Sequence, residues 1–129
     1  MIRFMICYKK LIEVSDYDFR NTLNNASTHQ LIKELANTFK MTEYRLQMAM
    51  HIEAQTILRE RMKGEKQPYD AVLELIWKNP EGLMDIYETE DAQKIMDNMN
   101  NRFHTVIDRE TSIGFFTDYS IMTTCNDNS

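Results

Sequence analysis

Three glycines and two prolines punctuate this chain of 129 residues, and that scarcity limits its possible folds more than any other feature. Gly and Pro most often end regular elements or build irregular connections. With the breaks confined to Gly64, Pro68, Pro80, Gly82 and Gly114, long structureless linkers are disfavoured and the chain should run through continuous periodic segments. Its length suits one domain, residues 1–129, able to bury a core without covalent staples. Cys7 and Cys125 stand near opposite ends with no CxxC pairing, which predicts free thiols in a reducing compartment. No apolar run approaches the roughly 18 residues that cross a bilayer, and "MIRFMICYKKLIEV" lacks a small-residue cleavage site. The expectation is a cytoplasmic protein with no membrane segment.

The periodicity predicts a mainly α protein, a compact helical domain of about five helices with a C-terminal β-hairpin and a possible N-terminal strand. Residues 1–14 are rich in strand formers but too continuous to alternate, so strand and helix both stay open there. Ser15 with Asp18 resembles a capping box and predicts a short helix through Leu23. Ser27 with Gln30 repeats the pattern before Leu31, Ile32, Leu35, Ala36 and Phe39, which share one helical face. Thr42 then caps a helix expected to run to about Met62 along Leu46, Ala49, Met50, Ile57 and Leu58. "YDAVLELIWK" reads as a strongly apolar helix, with Val72, Leu73, Leu75, Ile76 and Trp77 central to the core. Pro80 forces a break after it. Thr89 caps a helix carrying Ala92, Ile95, Met96 and Met99 at i, i+3, i+4 and i+7. Apolar runs on both sides of "DRET" predict a hairpin over residues 103–117, and residues 124–129 read as a polar tail.

The segment 28–51 resembles the helix-turn-helix of bacterial DNA-binding regulators. Leu35, Ala36, Phe39, Met41, Leu46 and Ala49 stand where that motif places its packing residues, and "MTEYRLQ" looks like the start of a recognition helix. The resemblance implies sequence-specific binding of duplex DNA by Tyr44, Arg45, Gln47, Met48 and His51, with Arg45 suited to guanine and Gln47 to adenine. It also implies a homodimer, because one helix reads too few bases. Lys40 takes the turn position where Gly is usual, a left-handed conformation that costs a non-Gly residue roughly 1 kcal/mol.

Charge is divided along the chain. Residues 1–66 carry eleven Lys/Arg against eight Asp/Glu, a balance of +3, and residues 67–129 carry four against twelve, a balance of −8. The acidic total of −5 argues against nonspecific nucleic-acid binding. It supports an alternative function, an acidic modulator of the adaptor or inhibitor kind, whose residues 67–129 dock on a basic protein partner. No catalytic constellation appears: there is no Gly-rich phosphate loop, no HExxH and no Gly-flanked serine elbow. His29, His51 and His104 are scattered, and acidic pairs such as Glu90–Asp91 suit a helix N-terminus. The expectation is a non-enzymatic protein with no metal and no cofactor. The ten methionines, of which Met48, Met50, Met62, Met84, Met96 and Met99 are expected largely on helices, read as core filling in a Met- and Asn-rich composition.

Overall fold

The N-terminal run, left open between strand and helix, settles the fold class. In residues Ile2–Tyr8 (β1), Ile2, Phe4, Ile6 and Tyr8 fall on one face and Arg3, Met5 and Cys7 on the other. A run this apolar on both faces belongs in the middle of a sheet. The computed structural model, which describes residues 1–49, 57, 60, 61, 69–79 and 81–118, places it there. β1 pairs antiparallel with Ala71–Trp77 (β3) on one side and Ile113–Asp118 (β4) on the other. Glu43–Met48 (β2) adds antiparallel to the far edge of β3, giving the order β2-β3-β1-β4. Because β1 is antiparallel to both neighbours, β1 runs parallel to β2 and β3 parallel to β4, so two β-helix-β crossovers interleave in one sheet.

The protein is therefore α+β, and the mainly helical expectation is corrected. "AVLELIW" is not a helix but the central strand β3, buried from both sides: Leu73, Leu75 and Trp77 on one face, Glu74 and Ile76 on the other. A short run that is apolar but for one residue fits a doubly covered strand as well as a buried helix, and here strand pairing wins. The second half of the helix-turn-helix is corrected too. Residues 43–48, read as a recognition helix, are the edge strand β2, with exposed Glu43, Arg45 and Gln47 alternating with half-buried Tyr44, Leu46 and Met48. Of the helix expected from Thr42 to Met62, Ile57, Glu60 and Arg61 are helical. The hairpin over 103–117 is replaced by β4 alone, which pairs with β1, while Ile107 makes an isolated bridge to Lys10. Phe103, Val106 and Ile107, the intended first arm, are buried instead.

The helices start and stop where backbone groups find partners. Asp16–Leu23 (α1) is capped by Ser15, whose side chain accepts from the Asp18 amide at 3.1 Å, the pairing that their spacing predicts. Ala26–Thr38 (α2) begins earlier than expected, because Asn25 rather than Ser27 supplies the cap, accepting from the Thr28 amide at 2.8 Å. α2 ends in a Schellman motif: the Met41 amide donates to the Ala36 carbonyl, the Lys40 amide to that of Asn37, and Lys40 sits at φ 56°. The turn foreseen at Lys40 is real, but it leads into β2. Leu83–Tyr87 (α3) follows Gly82 at φ 77°, and Glu90–Phe103 (α4) is capped by Thr89, which accepts from the Ala92 amide at 3.2 Å.

α1, α2 and α4 bury Phe19, Leu23, Ile32, Leu35, Met99 and Phe103 against one sheet face, where Tyr8, Leu73, Leu75 and Trp77 receive them. Among the described residues, no helix is long and apolar enough to cross a membrane.

Candidate ligand cavity

The sheet and helix layers do not close completely on each other. A cavity of about 550 Å³ remains between them, centred over β1 and β4. That is the size of a site that encloses a small organic molecule. Its floor is built by strand alternation: Phe4, Ile6 and Tyr8 of β1 lie beside Leu75 and Trp77 of β3 and Gly114 and Phe116 of β4, and the pairing register puts them on one face. Leu35 of α2, Phe39 just past its end, and Met96, Met99 and Phe103 of α4 form the roof. Leu83, Met84 and Tyr87 of α3 flank one end, and Asn100, His104, Arg109 and Ser112 the other.

Aromatic packing holds the floor. The Phe4 and Phe116 rings lie 4.7 Å apart at 35°, and Trp77 stands 6.3 Å from Phe116. The Trp77 indole N–H donates to the Phe39 carbonyl at 2.8 Å, tying β3 to the end of α2 and leaving the ring face to the cavity. Gly114 is needed for close approach: a Cβ there would lie 2.9 Å from Cζ of Phe4. Phe116 is on the edge strand and more than half exposed, so the aromatic floor reaches solvent at its rim.

Tyr8 is 8% exposed, and its ring meets Phe103 edge-on at 5.5 Å. A buried phenol ordinarily finds a hydrogen-bond partner. Among the described residues the Tyr8 hydroxyl has no hydrogen-bond partner; it is not a fully enclosed atom, and Tyr8 lines the cavity. Burial pushes its pKa well above the usual tyrosine value, which keeps the O–H protonated as a donor.

Beside Tyr8, the turn at 108–112 is tied down at both ends. The Asp108 amide donates to the Lys9 carbonyl at 2.8 Å, and the Lys9 amide donates to Oγ of Ser112 at 2.9 Å. Ser112 Oγ in turn donates to the Asp108 carbonyl at 2.7 Å. This fixes the position from which Arg109 projects. Arg109 makes no ion pair among the described residues. Nδ1 of His104 lies 2.7 Å from the Asn101 carbonyl. A carbonyl can only accept, so Nδ1 carries the hydrogen of that bond.

The residues expected to read DNA lie elsewhere and do not form one surface. Tyr44 and Met48 turn toward the helix layer and pack against the core. Arg45 and Gln47 occupy the opposite sheet face around Glu74: Gln47 Nε2 donates to Oε1 of Glu74 at 3.3 Å, and Arg45 pairs with Glu43 at 3.0 Å and with Glu74 at 4.0 Å. Arg3 completes the group, 3.5 Å from Glu74. Two arginines and two glutamates balance, and a single carboxylate oxygen, Oε2 of Glu74, is buried without a hydrogen bond. His51 lies outside the described residues. Among the described residues, no group of His, Cys, Asp and Glu is arranged to hold a metal.

No protein-family model matches the chain, and no curated protein matches it in sequence. Solved structures do match its fold. A crystal structure of an Arabidopsis thaliana protein aligns with TM-score 0.57 at 10% identity, covering 96% of this chain and all of that one. A dimeric protein of unknown function and ferredoxin-like fold from Bacteroides fragilis gives TM-score 0.57 at 8% identity, covering 92% and 95%. A protein of the ethyl tert-butyl ether (EthD) family from Bacillus halodurans gives 0.55 at 8%, covering 93% and 100%. The fold is thus ferredoxin-like α+β, and the helix-turn-helix reading of the sequence is overturned on this ground as well.

Proposed function

We propose that this chain is a small-molecule-binding protein whose ligand occupies the cavity between the helix layer and β1. The observation that carries the reading is Tyr8, a buried residue whose protonated hydroxyl has no hydrogen-bond partner among the described residues, on the wall of a mainly apolar cavity of about 550 Å³. A phenol O–H that donates to no described protein group suits a polar atom of a bound molecule, and the apolar walls suit the rest of it. The expectation of duplex DNA as partner rests on a recognition helix at Tyr44–Met48, and that segment is a strand. No catalytic step is assigned to the cavity; binding is the whole of the proposed activity. We also infer a homodimer, by analogy with the dimeric Bacteroides fragilis protein of similar fold. A cytoplasmic location suits the unbonded, buried Cys7 thiol.

Trp77 is the single tryptophan and lines the cavity, so its emission reports occupancy. Titration with a neutral aromatic probe, para-phenylbenzamide, is expected to change that emission saturably and to release heat in a calorimeter. Met96→Trp, which fills the roof with a larger side chain, should abolish the calorimetric signal while the variant still unfolds cooperatively. A probe that binds Met96→Trp as well as the parent would remove the cavity from consideration.

A further inference from the structure

The lining is polarised along its length. Phe4 and Tyr8 are four residues apart on one strand face, a separation of about 13 Å at the usual strand rise. Around Phe4 the lining is aromatic and aliphatic: Trp77, Phe116, Leu83, Met84 and Tyr87. Around Tyr8 stand His104, Arg109, Asn100 and Ser112. The grading follows from topology. β1 delivers Tyr8 to the end where α4 stops and the 108–112 turn is stapled to Lys9, and it delivers Phe4 to the end where β3 runs into α3.

Two features of the Tyr8 end favour a negative group. Arg109 is a permanent cation with no ion-pair partner among the described residues, in a chain whose net charge is −5. Tyr8 offers an O–H to accept from, and hydrogen bonds from a neutral donor to an anion are among the strong ones. Ser112 holds the turn rather than competing for a ligand, since its hydroxyl is already engaged on both sides. The body of the ligand is indicated by the walls. The chain has six Phe, six Tyr and one Trp, and seven of these thirteen side chains line this one cavity. Phe4, Trp77 and Phe116 already form an offset aromatic set that a planar molecule can extend.

We propose that the cavity takes an aromatic monoanion, its carboxylate or phenolate held by Tyr8 and Arg109 and its planar body running along β1 to Phe4, Trp77 and Phe116. The assignment rests on the ligand-binding reading above. It adds to that reading the charge, the orientation and the aromatic character of the ligand.

Calorimetric dissociation constants for para-phenylbenzoate, para-phenylbenzamide and decanoate test each part with the intact protein. The benzoate should bind about tenfold more tightly than the amide, the usual gain from one charge-assisted contact. Arg109→Gln should bring acid and amide to within about threefold of each other, and Tyr8→Phe should weaken the acid several-fold. Lys94→Gln removes an exposed charge from α4 outside the cavity lining and should leave the acid-to-amide ratio as it is. Both Arg109→Gln and Tyr8→Phe are checked for an unchanged unfolding midpoint at neutral pH. Equal affinity of amide and acid would overturn the anionic head, leaving the cavity reading intact. A Lys94→Gln effect as large as that of Arg109→Gln would also overturn it, as the preference would then be a property of the whole charge field. Decanoate binding more tightly than the benzoate would overturn the aromatic body. Failure of all three probes to bind would remove the cavity reading itself.

Discussion

Gly114→Ala should leave the fold almost as stable as before and yet weaken binding in the cavity. The added Cβ would meet Phe4 at 2.9 Å from Cζ, 3.4 Å from Cε2 and 3.6 Å from Cε1. Carbon atoms rest at about 3.5–4.0 Å, so the ring must retreat by roughly 0.6–1 Å. The atom approached is the far end of a rotatable side chain, and the space behind it is the cavity. Retreat therefore loosens the 4.7 Å pairing with Phe116, which is worth about 0.5–1.5 kcal/mol, without breaking backbone contacts. Against this, replacing Gly by Ala in a strand lowers the entropy of the unfolded chain, a gain of about 0.4–1 kcal/mol. The balance lies between a gain of about 0.5 kcal/mol and a loss of about 1 kcal/mol, or a few degrees at most in Tm for a domain of this size. The displaced ring meanwhile projects into the ligand's path, and affinity for para-phenylbenzoate should drop by about tenfold. Urea denaturation and calorimetry on Gly114→Ala, Phe4→Leu and the double variant check the cause as well as the size. If Phe4 is what the methyl strikes, the Ala substitution should cost less, or gain stability, once Phe4 is Leu, with a coupling of about 0.5–1.5 kcal/mol. An identical Gly114→Ala cost in both backgrounds would refute the reasoning, as would a loss above about 3 kcal/mol.

Lys40 holds a left-handed conformation at φ 56° in the Schellman motif that ends α2, so Lys40→Gly should stabilise the protein by about 0.5–1 kcal/mol, read as a higher urea midpoint at unchanged slope. Thr89→Ala removes the acceptor for the Ala92 amide at the start of α4 and should cost about 1 kcal/mol in the same assay. Tyr8 has its pKa raised by burial, so its contribution to stability is full below the unfolded tyrosine pKa of about 10. Above that pH the unfolded chain ionises while the folded protein does not, and stability falls with a slope of at most about 1.4 kcal/mol per pH unit. Tyr8→Phe should flatten the decline between pH 9 and 11 in urea titrations, and a decline of the same steepness in that variant would show that other groups produce it.

Parts of the fold can be read from short stretches, and what separates them from the rest is the range of the interaction involved. Ser15 and Thr89 cap their helices as their spacing predicts, because a cap is decided within four residues. Strand β2 is the opposite case. "EYRLQM" alternates polar and apolar strictly, which is strand periodicity, while Leu46, Ala49 and Met50 also satisfy helical spacing in the same stretch. The choice between these periods is made by β3, whose residues Ala71–Ile76 pair with Glu43–Met48 across more than twenty intervening positions. β3 is itself ambiguous, because a strand buried on both faces has no alternation to show. Each strand is thus decided by a partner that is equally uncertain alone, so the local sequence cannot break the tie.

The cavity is harder still to foresee, since its lining comes from β1, β3, β4, α2, α3, α4 and the 108–112 turn. Its two informative residues nevertheless leave traces in the sequence. Tyr8 closes an apolar strand with a group that must find a partner, and Gly114 interrupts the β-branched and aromatic run "IGFF", where an isolated glycine signals close approach of another group. Read together, a phenol at one end of β1 and a glycine paired with Ile6, two residues before it, mark the strand over which the layers stay apart. Helix-period reasoning passes over both, because it weighs residues by the face they share within one element. The ligand-facing set shares no element; it shares a sheet face, and that is visible only once the register of β1 against β4 is known.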